Sequence, residues 1–221
     1  SSNAQLLTYN NRPQGSLEKP LLLRTFMPEP GLGDVVLGRH HKGAKSPKYN
    51  PKIGKDVKGE YLPVAGLPAA MGVSYGPELS YCWDTVECRL LYVWKDGFLD
   101  MTPYWGDRKR GNRVSFGYVP KLVGTMVYQA SGKHPLHING VSISDLKEPL
   151  QYRGYEYADE TQIYSFFYQI GEHKIAVAIQ KGEVDLDMFF YRISSKGSIT
   201  YVAPDKQTQV KTVAADEVHV S

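Results

Sequence analysis

An all-β fold is what this sequence predicts, and three observations predict it. Apolar and polar residues alternate with period two in many segments. No window of a dozen residues carries apolar groups at i, i+3, i+4 and i+7 without a Gly or Pro breaking it. The 21 Gly and 14 Pro supply frequent turns, and 16 Tyr suit a pleated, half-buried surface. The expected architecture is a single antiparallel β-sandwich or supersandwich-like domain over residues 5–221, with a long Lys/Pro-rich surface loop.

Ser1-Ser2-Asn3-Ala4 is expected to be the remnant of a cleaved purification tag, outside the fold. Strands are expected at Leu21–Met27 and Asp34–Arg39, then Met71–Tyr75, Leu79–Trp83, Cys88–Lys95, Val114–Val119 and Gly124–Gln129. In the C-terminal half, Gln151–Tyr157 is followed by Gln162–Ile170, where Tyr164, Phe166, Tyr168 and Ile170 share one face. Lys174–Gln180 sets Ile175, Val177 and Ile179 against Ala176 and Ala178, and Val184–Met188 alternates Val, Leu and Met with two aspartates. Phe189–Ile193, Ser198–Val202 and Gln209–Val213 complete the set, with Gly171-Glu172 and Ser195-Lys196-Gly197 reading as hairpin turns. Residues 42–60 hold Gly, Pro, Lys and Asn with little apolar content and read as a surface excursion.

Composition excludes several function classes. No 18-residue apolar run exists, so no membrane span is expected. The net charge of +3 is too small to argue for nucleic acid. Two basic runs, Arg39 to Lys58 and Arg108 to Arg113, read as solvated loops, because only Tyr49 is interleaved as a stacking aromatic.

Both cysteines lie in one stretch. Cys82 and Cys88 flank Trp83-Asp84-Thr85-Val86-Glu87, a loop short enough to set them opposite each other. A disulfide needs Cα atoms about 4.4–6.8 Å apart, which paired strands satisfy. The alternative is two reduced thiols on different faces. No second Cys pair or suitably spaced His supplies further ligands, so no metal is expected.

Arg24-Thr25-Phe26-Met27-Pro28, the run Tyr81 to Trp105, and Arg153-Gly154-Tyr155-Glu156-Tyr157 with the Phe167 to Gly171 turn carry a resemblance. Together they resemble an uncharacterised β-rich module of exported bacterial proteins, often carried beside a c-type cytochrome or a sugar-dehydrogenase-like domain. The resemblance implies a periplasmic or extracellular location and a partner in redox or carbohydrate metabolism. It implies no catalytic residues. No Cys-x-x-Cys-His occurs, so this chain does not attach haem covalently, and no cofactor is expected. The chain departs from the module in its 42–60 excursion and in the Asp-Arg-Lys-Arg that follows Trp105 and Gly106.

Sugar-binding clefts combine a flat aromatic with carboxylates and guanidinium groups that take paired hydroxyl contacts. Asp100, Tyr104, Trp105, Asp107 and Arg108 offer every part within nine positions, and Trp94 precedes them. These six are the candidate ligand-binding residues; the alternative is tryptophans in the core and charges solvating a turn. Asp84 with Glu87, or Asp100 with Asp107, is the carboxylate pair a carbohydrate-active hydrolase would use, and His137 with Glu156 or Glu172 an epimerase-type pair. The expected function is a non-catalytic exported module that binds carbohydrate or docks onto a redox partner. A carbohydrate-active enzyme and a purely structural domain are the alternatives.

Overall fold

The structure, a computed structural model, describes residues 16, 19–25, 27–28, 66–67, 70–100, 121–122, 124–183, 185–194 and 197–221. The expected strands Asp34–Arg39 and Val114–Val119 and the 42–60 excursion lie outside these residues. The described residues are nearly all β, with an antiparallel, sandwich-like fold. Its first strands are β1 (Leu21–Arg24), β2 (Met27–Pro28), β3 (Gly66–Leu67), β4 (Ala70–Ser74), β5 (Ser80–Asp84), β6 (Arg89–Lys95), β7 (Leu99–Asp100), β8 (Lys121–Leu122) and β9 (Thr125–Gln129). There follow β10 (Leu136–Ile138), β11 (Val141–Ser142), a 3-10 turn at Ile143–Asp145, β12 (Leu150–Ala158), β13 (Ile163–Ile170) and β14 (His173–Lys181). The last are β15 (Leu186–Ser194), β16 (Ile199–Tyr201), β17 (Val210–Ala214) and β18 (Glu217–Val220). The two strands expected at 184–188 and 189–193 are thus one, β15, because Asp187 and Phe189 continue the same alternation.

Among the described residues, contacts group the chain into two compact units: Leu21–Cys82 with Tyr92–Gln129, and Leu17–Pro20 with Trp83–Leu91 and Ala130–Ser221. In the first unit, β1, β4, β5, β6 and β9 follow one another across a five-stranded sheet. All five residues of β4 are buried, which matches their small or apolar character. The Trp94 indole is fully buried, stacked on Phe98 at 5.7 Å, and its Nε1–H donates to the Phe98 carbonyl at 3.2 Å. A buried indole needs such an acceptor, and Phe98 supplies both ring and carbonyl. Gly124, at φ +127°, admits no side chain: a Cβ there would sit 2.1 Å from the Lys95 carbonyl oxygen.

The second unit carries a six-stranded sheet in the order β12-β13-β14-β15-β18-β17 and a three-stranded sheet in the order β11-β10-β16. The alternation in β13 buries Tyr164, Phe166, Tyr168 and Ile170, and β14, β15 and β18 extend that face with Ile175, Val177, Ile179, Met188, Phe190, Val218 and Val220. Trp83, 1% exposed, lies on this face, stacked on Phe166 at 4.4 Å and 12° and tilted against Tyr152 and Tyr168. The three-stranded sheet adds Leu136, Ile138 and Ile199 to the core, and Tyr201 meets Phe190 ring to ring at 5.3 Å. Tight turns join the strands: Gly171 at φ 56° turns β13 into β14, and Asn139-Gly140, at φ 50° and 81°, turns β10 into β11. Two successive left-handed residues are the hairpin geometry that Asn-Gly favours.

Candidate functional site

Of the six ligand-binding candidates, Tyr104, Trp105, Asp107 and Arg108 lie outside the described residues. Asp100 ends β7, where its backbone pairs with Lys121. Trp94 needs correction: its ring is closed off from solvent in the core of the first unit, so it has no face to offer a ligand. The expected disulfide is also corrected, because Cys82 and Cys88 are both free and buried. Cys88 sits at φ 51° in the turn after β5, and its thiol points at the Thr85 carbonyl, 3.5 Å away. The Cys82 thiol is engaged by the Tyr92 hydroxyl instead. A strand residue and a left-handed turn residue do not present the facing Cβ vectors a bridge requires.

Asp84 closes a turn, its carboxylate accepting the Glu87 amide at 2.8 Å. His137 lies on β10, Glu156 on β12 and Glu172 in the turn between β13 and β14. The fold therefore spreads the epimerase-type set over separate elements.

A different group of residues does converge. In the second unit a pocket of about 340 Å³ is lined by Val86, Glu87 and Arg89 from the β5–β6 hairpin, by His134, and by Ile143, Ser144, Leu146, Glu148, Leu150 and Ile170. The hairpin turn capped by Asp84 delivers Arg89 at the first position of β6, where the side chain is only 7% exposed. Its Nη1 donates to the Gly132 carbonyl at 3.1 Å. Nε is buried with no partner, and Arg89 forms no ion pair with any described residue.

His134, 4% exposed, is fixed behind this arginine. Its Nδ1 accepts the Leu136 amide at 3.1 Å, which puts the ring proton on Nε2, and Nε2 donates to the Cys88 carbonyl at 2.9 Å. The backbone is gripped too: the His134 amide donates to Ser144 Oγ, and Ser142 Oγ donates to the His134 carbonyl, both at 2.8 Å. Burial pushes the imidazole down to about 4, with the bond to Cys88 opposing and the charge of Arg89 reinforcing the shift. His134 is therefore neutral at pH 7, and the guanidinium stands as the positive charge of the pocket. Ile143 and Ile170 are buried beside it, while Glu87, Ser144 and Glu148 are exposed at the rim.

A larger recess of about 430 Å³ lies on the outward face of the six-stranded sheet, lined by Arg153, Phe167, Gln169, Lys174 and Ile193 among others. Arg153 and Lys174 are exposed and solvated, and Arg153 bonds Gln151 at 2.6 Å. That recess holds no buried charge, so the Arg89 pocket is the stronger candidate.

Sequence reasoning missed this site. Its histidine, His134, has no metal role, since among the described residues no cluster of three or more His, Cys, Asp or Glu has metal-holding geometry. The available signal was Arg89 itself, a cation opening the otherwise apolar run Leu90-Leu91-Tyr92-Val93-Trp94. No family model, curated protein or solved structure matches this chain.

Proposed function

We propose that this chain is a non-catalytic binding module, exported to the periplasm or cell exterior, that takes a carbohydrate ligand in the Arg89 pocket. The observation that carries the reading is a largely buried arginine that lines a pocket with no counter-charge among the described residues, its Nε without a hydrogen bond. A charge held there costs several kcal/mol without an opposite partner, and sites that keep such a group use it on a ligand. Binding is favoured over turnover by the state of His134. Both ring nitrogens are engaged by the backbone, so the imidazole fixes the pocket rather than exchanging protons with a bound molecule.

Export is supported by the resemblance carried in Tyr81 to Trp105 and agrees with the free thiols. Burial pushes the Cys88 thiol up to about 12, and the thiolate that would start oxidation is scarce at neutral pH. No helix among the described residues is long and apolar enough to cross a membrane. The redox-docking form of the reading has support in the outward face of β13 to β15, where Phe167, Ala178, Phe189, Tyr191 and Ile193 alternate with the buried residues. The carboxylate-pair enzyme rests on Asp100 and Asp107, the latter outside the described residues.

A thermal-shift panel of neutral and acidic monosaccharides, with each mixture then assayed for product, tests the reading. Stabilisation by at least one sugar without product is expected. Product formation would favour the enzyme, and a flat panel would favour a structural domain.

A further inference from the structure

We propose that the Arg89 pocket is a monocarboxylate site, and that the ligand it takes is a uronic-acid type sugar. The inference rests on the binding reading above and adds the chemical class of the ligand. Of the five guanidinium N–H groups, one on Nη1 is given to the Gly132 carbonyl. Nε is closed to solvent in the free protein and has no hydrogen-bond partner, and Nη2 makes no hydrogen bond to a described residue, so a ligand that takes this edge must open the lining around Nε. Nε–H and Nη2–H form the side-on edge of an arginine, the edge that grips a carboxylate with two parallel bonds. Both nitrogens of that edge are without a hydrogen bond to a described residue.

Charge selects the kind of anion. Among the described lining residues Arg89 is the one cation, because His134 is neutral, and Glu87 and Glu148 are exposed. A monocarboxylate neutralises Arg89 and stops there. A phosphate dianion brings a second negative charge towards the two glutamates, where like charges repel. The rest of the lining reads the body of the ligand. Rim carboxylates accept hydroxyl hydrogens, while Ile143 and Ile170 offer buried apolar surface to ring C–H groups. A volume of about 340 Å³ sits at the small end of ligand pockets, the size class of one sugar residue rather than a chain.

Calorimetric titration of the whole chain at pH 7 with glucuronate, glucose, butanoate and inorganic phosphate tests the proposal. Glucuronate is expected to bind about 30-fold tighter than glucose, as a charge-assisted bidentate pair implies. Butanoate and phosphate are expected to be weaker than glucuronate. Arg89→Met should bring glucuronate down to the level of glucose. Arg89→Lys, which keeps the charge but not the fork, should fall between. Circular dichroism checks that both variants fold, and Arg89→Lys carries the test on its own if the Met variant does not. If glucose binds as well as glucuronate, the binding reading survives and the acidic-ligand inference falls. Butanoate or phosphate equalling glucuronate overturns the sugar-acid assignment. If no sugar binds at all, the binding reading itself fails.

Discussion

Trp83→Ala is expected to lower the unfolding free energy by about 3–5 kcal/mol, the range for removing a large buried aromatic. Trp83 is 1% exposed and meets three rings of the second unit's core, with Phe166 in parallel stack at 4.4 Å and Tyr152 and Tyr168 tilted at 5.8 and 6.2 Å. Truncation leaves a cavity against Tyr152 of the edge strand β12 and the buried face of β13, and β13, paired on both sides by β12 and β14, collapses poorly into it. Trp83 also stands just before the hairpin turn that positions Arg89, so the same change loosens the pocket. Urea unfolding followed by far-UV circular dichroism measures the loss, with Trp83→Phe expected to retain most of the stability. A loss below about 1 kcal/mol for the alanine variant would mean that the stack is not part of the core.

Acid is expected to destabilise the fold by about 3 kcal/mol between pH 6.5 and pH 4 through His134 alone. In the folded protein the imidazole titrates at about 4, against 6.5 for the exposed group. The folded value is the lower one, so between these limits the unfolded chain binds the proton and the native chain does not. Stability from this group is full above pH 6.5, falls as pH drops, and stops changing below about 4. Desolvation is the main cause, and at 4% exposure no solvent screening reduces it. Denaturant midpoints of wild type and His134→Gln across pH 7 to 4 isolate the effect, since other carboxylates titrate alike in both. The gap between the two curves should narrow or reverse as pH falls. Parallel curves would mean that His134 keeps an ordinary pKa.

The sheets of this fold were legible where alternation ran long. Tyr164, Phe166, Tyr168 and Ile170 announce β13 because eight residues of period two cannot be mistaken for a helix. Leu136–Ile138 was not seen, since three residues after Pro135 carry too little pattern, although Asn139-Gly140 marked the hairpin they enter. β18, four residues with Val218 and Val220 inward, escaped for the same reason of length.

The cysteines misled because sequence spacing sets loop length but not the direction of each Cβ, and Cys88 takes a left-handed turn position. Trp94 misled because burial depends on what the rest of the chain lays over a ring. The pocket was illegible for a related reason. Its members come from 86–89, 134, 143–150 and 170, and whether Arg89 has a partner is a three-dimensional fact that no local pattern encodes.

The measurement that bears most directly on this account is the unfolding free energy of Arg89→Met in the absence of any sugar or organic acid. A guanidinium buried without a counter-charge burdens the free protein, and the exposed Gly132 carbonyl can turn to water once Nη1 is gone. The variant is therefore predicted to be as stable as wild type or more stable, by about 1 kcal/mol or above. A loss of about 3–5 kcal/mol, the signature of breaking a buried ion pair, would contradict it, because Arg89 would then already have its partner within the fold.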